Sequence, residues 1–291
     1  MIYDELHEII SSHFNKLEET SGNIDTALEK EAIHKFRTTY KKLRAWLRLL
    51  NYAILMPEKI KIPDAAKDFY HALGEIRDRQ IQNETIIIKT QGHPIKPDDY
   101  FRLLEEEIQA FGKLLKKQKV RKSIIQSYKK IPTEVRETDR IIETGKYIET
   151  KWDVVIYMVT QNQFEDDHLH TIRKILKDIF YITYKEDDKG IIPEVNIYMD
   201  EKDFKALLDE IGKFQDMCTA LELLCDETLQ DIKRKEKQLL LQVRNILTAD
   251  KMKIKISVIE KLLFLADLVV MKRQERMDRI QGSAAKSISI H

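Results

Sequence analysis

Two segments of this sequence carry basic side chains at spacings suited to binding an anion. The first set recurs every three or four residues, and its members are His34, Arg37, Lys41, Arg44 and Arg48. On an α-helix these positions fall within an arc of roughly 80°. No Asp or Glu occurs between residues 32 and 57 to neutralise them. Because guanidinium groups bind phosphate oxygens in pairs and ammonium groups act as point charges, this first stripe predicts an anionic ligand.

The same layout recurs later in the chain. Residues 31–48 (EAIHKFRTTYKKLRAWLR) align with residues 167–184 (DHLHTIRKILKDIFYITY), and both read apolar-His-x-x-Arg-x-x-x-Lys. The LGEIRD motif at 73–78 is likewise followed by IGKFQD at 211–216. Two matched motifs in the same order predict an internal duplication. The members of the second stripe are His170, Arg173, Lys174, Lys177 and Tyr181.

The alternative interpretation is that each stripe is the solvated face of an amphipathic helix. Solvated faces usually mix charges, because acid–base pairs four residues apart stabilise a helix and like charges at that spacing cost a few tenths of a kcal/mol. Around the first stripe, Glu31 and Lys35 alone form such a pair. The recurrence of uncompensated cations, led by a histidine each time, favours a ligand as the source of the counter-charge.

The elements that must position these residues are predicted to be helical almost throughout. Apolar residues follow the helical period and Gly and Pro are few, with eight and six in the chain. A last helix near 255–280 precedes the tail QGSAAKSISIH, and residues 54–64 and 190–200 are candidates for short extended pieces. The other predicted helices span 2–20, 26–52, 64–91, 98–118, 135–163, 165–184, 201–228 and 229–248.

This pattern predicts an all-α fold built from two four-helix bundles that are related by the duplication. Short loops between consecutive helices favour antiparallel neighbours, so each half forms one bundle. The expected divisions are residues 1–131 for the first half, 132–250 for the second half, and 251–291 for a C-terminal helix and flexible tail.

Composition narrows the range of functions and compartments. The net charge of +1 gives no overall attraction to nucleic acid, although residues 1–131 carry 24 Lys or Arg against 19 Asp or Glu. No apolar run approaches 18 residues and the N-terminus is acidic, so we predict a cytoplasmic protein without a membrane span. Cys218 and Cys225 would lie roughly 10 Å apart on one helix, too distant for a disulfide, and are predicted to be small core residues.

A further group of cations has two open interpretations. Residues 108–133 hold eight Lys or Arg and no acid. The run is either another part of the anion-binding surface or a plain solvated helical face, and the sequence favours neither.

Together these motifs resemble the CHAD family, named for its conserved histidine α-helical domain. The first copy reads His-x-x-Arg-x-x-x-Lys-Lys-Leu-Arg followed by Leu-Gly-x-x-Arg-Asp, and the similarity runs over residues 2–248. The resemblance implies two four-helix bundles about a pseudo-two-fold axis, with a basic groove or pore between them that binds inorganic polyphosphate. Family domains often follow a triphosphate-tunnel domain of the CYTH type. The Glu-x-Glu-x-Lys motif of that domain is missing here, so we expect a stand-alone domain, with association with polyphosphate granules as a further expectation.

The resemblance also assigns roles to individual residues by motif position. Asp78 and Asp216 are implied to hold neighbouring Arg or His side chains through charge-assisted hydrogen bonds. No catalytic residue, metal or cofactor is implied. The residues implied to bind polyphosphate are His34, Arg37, Lys41, Lys42, Arg44, Arg48 and Arg77 from the first copy, and His170, Arg173, Lys174, Lys177 and Tyr181 from the second.

Three positions depart from the family pattern. Phe180 stands where the second copy usually has an Arg, Gln80 replaces the second Asp of the first Arg-Asp motif, and Gln215 replaces the usual Asn. The missing cation at position 180 predicts a binding surface dominated by the first half of the chain.

Two other functions would use the same surface. A metal-assisted phosphohydrolase needs clustered metal ligands, and the nearest candidate is Asp166-Asp167-His168. Acids in the first turn of a helix stabilise its dipole, which explains both aspartates without a metal and leaves His168 as a bystander. Nucleic acid or a phosphorylated partner would also suit the cations. Base stacking, however, needs exposed aromatic rings, and Phe36 and Tyr40 fall in the apolar arc.

The two leading histidines have two open roles. Surrounded by cations, His34 and His170 are expected to resist protonation until phosphate arrives, which would strengthen binding at lower pH. In the alternative, they are neutral hydrogen-bond donors fixed in place.

Overall fold

The backbone is helical almost throughout, as the sequence predicted. The computed structural model describes residues 1–24, 28–54, 58–115, 117–133, 141–184 and 195–288. Outside the helices, Ile2 and Ile141 form an isolated antiparallel β-bridge. The described residues of the two candidate extended pieces form no strand, and the remainder of those pieces lies outside the described residues.

The helices agree closely with the amphipathic segments of the sequence. The described residues form α1 (Tyr3–Gly22), α2 (Lys30–Ala53), α3 (Asp64–Lys89), α4 (Asp98–Lys113), α5 (Lys117–Tyr128), α6 (Thr144–Thr160), α7 (Asp166–Thr183), α8 (Glu201–Glu222) and α9 (Arg234–Ile288).

Several helix ends are shifted, as at α6, which begins at Thr144 although the helix was expected from residue 135, and at α8, which ends at Glu222 although it was expected to reach residue 228. Two larger differences change the number of helices. The helix expected at 98–118 ends at Lys113, where the amide of Leu114 turns back to Phe111 O at 3.0 Å and tightens the last turn. A separate helix, α5, then begins at Lys117. The segments expected at 229–248 and 255–280 are instead one helix, α9. No Gly or Pro lies between them to stop it.

Contacts group the chain into two compact units, of which the first comprises Met1–Tyr147 and Gln215–Lys251. In this unit α1 packs against α2 and α5, and α3 contacts α2, α4 and α5. The apolar arc of α2 is buried there, with the Phe36 ring 5.1 Å from Phe69 of α3. Burying each such side chain contributes about 1.5–3 kcal/mol, and this packing holds α2 against α3.

The second unit comprises Ile148–Phe214 and Met252–His291. Trp152 of α6 is buried in it, with its ring 5.5 Å from Tyr198 and 5.8 Å from Phe204. Arg273 of α9 donates to Asp153 Oδ1 of α6 at 2.7 Å, which links these two helices. The units are defined by contacts and not by sequence duplication, so the division of the sequence into halves at residue 131 stays a prediction.

No helix in the described part of the chain is both long enough and apolar enough to cross a bilayer.

Candidate anion-binding surfaces

The first stripe runs along α2, and buried residues border the stripe on both sides. Arg37, Lys41 and Arg44 are half-buried, whereas His34 and Arg48 at the two ends are exposed. An ordinary solvated face leaves its cations exposed, so the middle of the stripe differs from one. Charges that are partly removed from water act more strongly on a bound anion. The buried residues bordering the stripe are Ile33, Phe36, Tyr40, Leu43 and Leu47 on one side, and Ala45 and Leu49 on the other.

Arg37 is held in place by α3. Its Nη1 donates to Tyr70 O at 3.2 Å, and its guanidinium carbon lies 4.8 Å from the centroid of the Tyr70 ring. Gly74, one turn further along α3, leaves room for this guanidinium, because a Cβ there would lie 2.2 Å from Arg37 Nη1. A mid-helix glycine costs about 1 kcal/mol relative to alanine, and here that cost makes space for the arginine.

Tyr40 and Tyr70 form an aromatic support beneath the first stripe. Their rings stack with centroids 4.2 Å apart and an angle of 17° between their planes. Burial raises the pKa of the Tyr40 phenol, while Arg44 and Arg48 oppose that rise, which places both cations near the hydroxyl. Tyr70 was not among the site residues predicted from the sequence. The one feature of the sequence that points to Tyr70 is its position one helical turn before Gly74.

Buried guanidinium N–H groups without acceptors occur in both stripes and in the Arg-Asp motif. Nε of Arg44, Nη1 of Arg77 and Nε of Arg173 have no hydrogen-bond acceptor among the described residues. A buried donor left in this state costs about 1–3 kcal/mol, and native proteins keep few of them. Each of these groups can donate to an anion with several oxygens.

The second stripe repeats the arginine–glycine contact of the first. A Cβ at Gly212 of α8 would lie 3.1 Å from Arg173 Nη2 and 3.7 Å from Arg173 Nε. The motif arginine of each copy therefore lies against the motif glycine that follows it in sequence. This parallel agrees with the predicted duplication, which itself stays a prediction.

The remaining members of the second stripe are more loosely arranged. His170, Lys177 and Tyr181 are half-buried and Lys174 is exposed. Lys177 Nζ lies 5.9 Å from the centroid of the Tyr181 ring, within the range of a cation–π contact. The lysine and the phenol hydroxyl are thus near enough to contact one ligand.

Phe180 packs against other aromatic rings and adds no positive charge to the second stripe. Its ring lies 5.2 Å from Tyr184 and 5.5 Å from Phe204, in the aromatic core of the second unit. An arginine at this position would have to be accommodated among aromatic rings. Gln80, a second departure from the family pattern, donates from Nε2 to Leu28 O at 2.9 Å and so connects α3 to the segment before α2.

Asp78 is an electrostatic neighbour of Arg37. Burial raises the pKa of the Asp78 carboxyl, Arg37 opposes that rise, and Glu75 and Asp216 add to it. Two motif acids and the motif arginine of the first unit therefore act on one another. The hydrogen-bonding role implied for Asp78 and Asp216 stays a prediction.

Replacing Asp78 with Asn is expected to stabilise the protein at neutral pH. A carboxyl whose pKa is raised on folding carries a penalty when ionised, and that penalty vanishes below the unfolded value near pH ~4, where both states are protonated. Urea unfolding at pH 7 and at pH ~3, below the unfolded value, should show a gain in the free energy of unfolding for Asp78→Asn at the higher pH alone. A gain of equal size at both pH values would contradict this explanation.

The Asp166-Asp167-His168 sequence begins α7, and its two acids lie in the first turn of that helix, as predicted. Asp166 and Asp167 occupy the first turn of α7, and Asp166 Oδ1 accepts a hydrogen bond from Lys255 Nζ at 2.8 Å. His168 Nδ1 contacts the carboxylate of Glu165. In the described ranges, no three His, Cys, Asp or Glu residues are grouped as metal ligands.

The basic run at 108–133 is partly neutralised. Nε of Arg121 on α5 donates to Glu18 Oε1 of α1 at 2.7 Å. Lys122, Lys129 and Lys130 are exposed, and Lys116 lies outside the described residues. The ion pair removes one cation from any binding surface that this run could form.

Comparison with known proteins identifies the class of domain. The CHAD domain family model matches residues 8–225, about three quarters of the chain. The chain therefore belongs to the CHAD domain family, which confirms the resemblance seen in its sequence motifs.

A solved structure supports the same fold. The crystal structure of the CHAD domain from the plant Ricinus communis matches with a TM-score of 0.60, covering 91% of this chain and 92% of that chain. At 14% sequence identity, this similarity shows a shared fold. Among curated proteins, no sequence matches this chain.

Proposed function

We propose that this protein binds inorganic polyphosphate through its two stripes and does not turn it over. The observation that carries the proposal is the set of buried guanidinium N–H groups on Arg44, Arg77 and Arg173 that find no acceptor among the described residues. Phosphate oxygens would satisfy them, and charge-assisted hydrogen bonds of this kind are about twice as strong as neutral ones. Membership of the CHAD family supports a binding role.

The chemistry of the ligand suits a stripe better than a pocket. Polyphosphate is a flexible chain with about one negative charge per phosphate and no bases to recognise, so its backbone charge must supply the affinity, as in non-specific nucleic-acid binding. Lys and Arg along a helix displace its counterions. Several modest contacts to one polymer then sum to tight binding, because each contact raises the effective concentration of the next phosphate.

Binding of this kind needs no catalytic group. The second candidate function is binding of RNA or of a phosphorylated protein by the same cations. The buried positions of Phe36 and Tyr40 favour polyphosphate, since they leave these rings unavailable to stack on bases.

The test is a titration of labelled polyphosphate of about 100 phosphates, at salt concentrations of about 50 and 200 mM. We expect affinity to fall roughly 20-fold to 1,000-fold over this range, which is the loss that about three to six phosphate contacts give. Unlabelled polyphosphate should displace the label far better than single-stranded RNA with the same number of phosphates. A gel of the recovered polymer should show unchanged length.

Three results would contradict the proposal. One is affinity indifferent to salt, and another is RNA competing as well as polyphosphate, which would favour the second candidate. The third is polymer shortened in proportion to protein concentration, which would identify an enzyme.

A further inference from the structure

The C-terminal part of α9 carries a second feature, independent of the stripes. Four apolar side chains, Ile256, Leu263, Val270 and Met277, recur every seven residues and are between 41% and 57% exposed. Met252, one turn before the first of them, is 55% exposed. We name these five residues the α9 seam. They lie beyond residues 8–225 that match the CHAD domain family, so the family does not account for them.

The seam is distinct from the face that α9 uses in its own unit. The residues of α9 that are buried in the second unit include Val258, Leu262, Leu265 and Val269. At 100° per residue, these fall roughly 80° to 160° around the helix from Leu263 and Val270. A surface helix of a monomer needs one apolar face, and this segment has two.

The spacing of the seam indicates a helical partner. Positions seven residues apart drift by about 20° per repeat on a straight helix, and they stay in line when two helices supercoil around one another. The usual signature of such a pair is an apolar residue at two positions of each heptad, and the seam supplies one of these two positions over three heptads. A flat protein surface would gain nothing from this periodicity.

The exposed area is sufficient for a specific contact. The seam alone exposes on the order of 500 Å² of apolar surface, and two copies together reach about 1,000 Å², which is the lower limit for a specific interface. The largest apolar patch on a typical monomer is about 300–600 Å². The flanking Phe264 and Met271 are 65% and 51% exposed.

The acids beside the seam argue against a lipid surface as its partner. Glu260 and Asp267 are exposed and lie around the helix between the seam and the flanking Phe264 and Met271. Insertion of that whole face into a bilayer would bury both carboxylates at high cost. A helix lying along the seam covers a narrow strip and leaves the carboxylates at the rim, in water.

We propose that the partner is a second copy of this chain, and that two α9 helices pair along their seams to form a homodimer. A two-fold contact brings the same patch from both chains together, so a heptad stripe on one copy finds its matching stripe on the other. The repeat and the area are both those that such a pair requires.

Light scattering coupled to size exclusion tests this proposal on the full chain. From about 1 to 100 µM, a range that detects micromolar dissociation constants, we expect a mass of twice the 34.4 kDa of one chain. Leu263→Glu/Val270→Glu should halve that mass and remove the concentration dependence of the melting temperature. Leu263→Gln/Val270→Gln, which adds no charge, should weaken the dimer in the same direction.

The matched control is Ile87→Glu/Ile88→Glu on α3, where both side chains are also exposed, at 55% and 67%. This variant should remain dimeric, and circular dichroism should show native helix content in every variant. A monomeric wild-type protein throughout the range would overturn the proposal, as would a dimer indifferent to changes in the seam. A monomer that sediments with phosphatidylcholine vesicles, and loses this property in Leu263→Glu/Val270→Glu, would assign the seam to a lipid surface instead.

Discussion

Replacing Arg37 and Arg44 together with alanine is expected to weaken polyphosphate binding roughly 100-fold or more at low salt, because each charge-assisted hydrogen bond to phosphate contributes about 1.5–3 kcal/mol. Arg37 is positioned by Tyr70 and Gly74, and Arg44 carries a buried Nε without an acceptor among the described residues. The measurement is the polyphosphate titration, with wild type and variant compared at both salt concentrations. The salt dependence should become shallower in the variant, since fewer counterions are released.

The matched control removes the same charge elsewhere. Arg102 and Arg279 are exposed arginines on α4 and α9, outside both stripes. Arg102→Ala/Arg279→Ala should change affinity by less than about threefold, because both side chains are exposed and already lie beside an acid, so that solvent, salt and the acid screen their charges. Equal losses in the two double variants would show that net charge, and not the stripe, supplies the binding.

The fold should tolerate both double variants. Neither opens a cavity in the apolar core. Arg37→Ala loses the hydrogen bond to Tyr70 O, which costs about 1 kcal/mol, whereas surface substitutions such as Arg102→Ala and Arg279→Ala usually change the free energy of unfolding by less than about 0.5 kcal/mol. Thermal unfolding of the variants therefore separates loss of binding from loss of structure.

The second large effect is expected from Gly74→Ala, which should lower polyphosphate affinity about 10-fold while leaving stability nearly unchanged. The new Cβ would lie 2.2 Å from Arg37 Nη1, so the guanidinium must leave its place beside Tyr70. Losing that hydrogen bond costs about 1 kcal/mol, and alanine in place of a mid-helix glycine gains about the same. The displaced Arg37 can no longer meet phosphate in the same geometry.

Gly212→Ala is the internal comparison, because the same motif glycine lies there against the other motif arginine. Its Cβ would lie 3.1 Å from Arg173 Nη2, which a shift of a few tenths of an ångström relieves. We expect this variant to gain up to about 1 kcal/mol in stability and to change affinity by less than threefold. If Gly74→Ala binds polyphosphate as tightly as wild type, binding does not depend on the position of Arg37.

The sequence predicted much of the fold from local patterns. Seven of the predicted segments correspond to α1–α4 and α6–α8, and the predicted Glu31–Lys35 pair of α2 has its charged atoms 4.0 Å apart in the structure. The buried arc of α2 also followed from helical spacing, because a residue at a given angle faces the same neighbour along a straight helix. The prediction was wrong at α5, which a tight turn separates from α4, and at α9, which continues where two helices were expected. Neither feature has a strong signal in the amino-acid composition.

The candidate site was likewise predicted only in part from the sequence. The sequence by itself determined that α2 and α7 each carry a histidine-led row of cations, since residue type and spacing fix which side chains share a helical face. Only the tertiary structure decided which of these cations are partly buried from water and which of their N–H groups have no acceptor among the described residues. Arg37 is held by Tyr70 and Gly74, both more than 30 positions away along the chain, and Phe180 is drawn into the core by Phe204. Charge along a helix is a local property, whereas burial depends on helices that fold back from distant parts of the sequence.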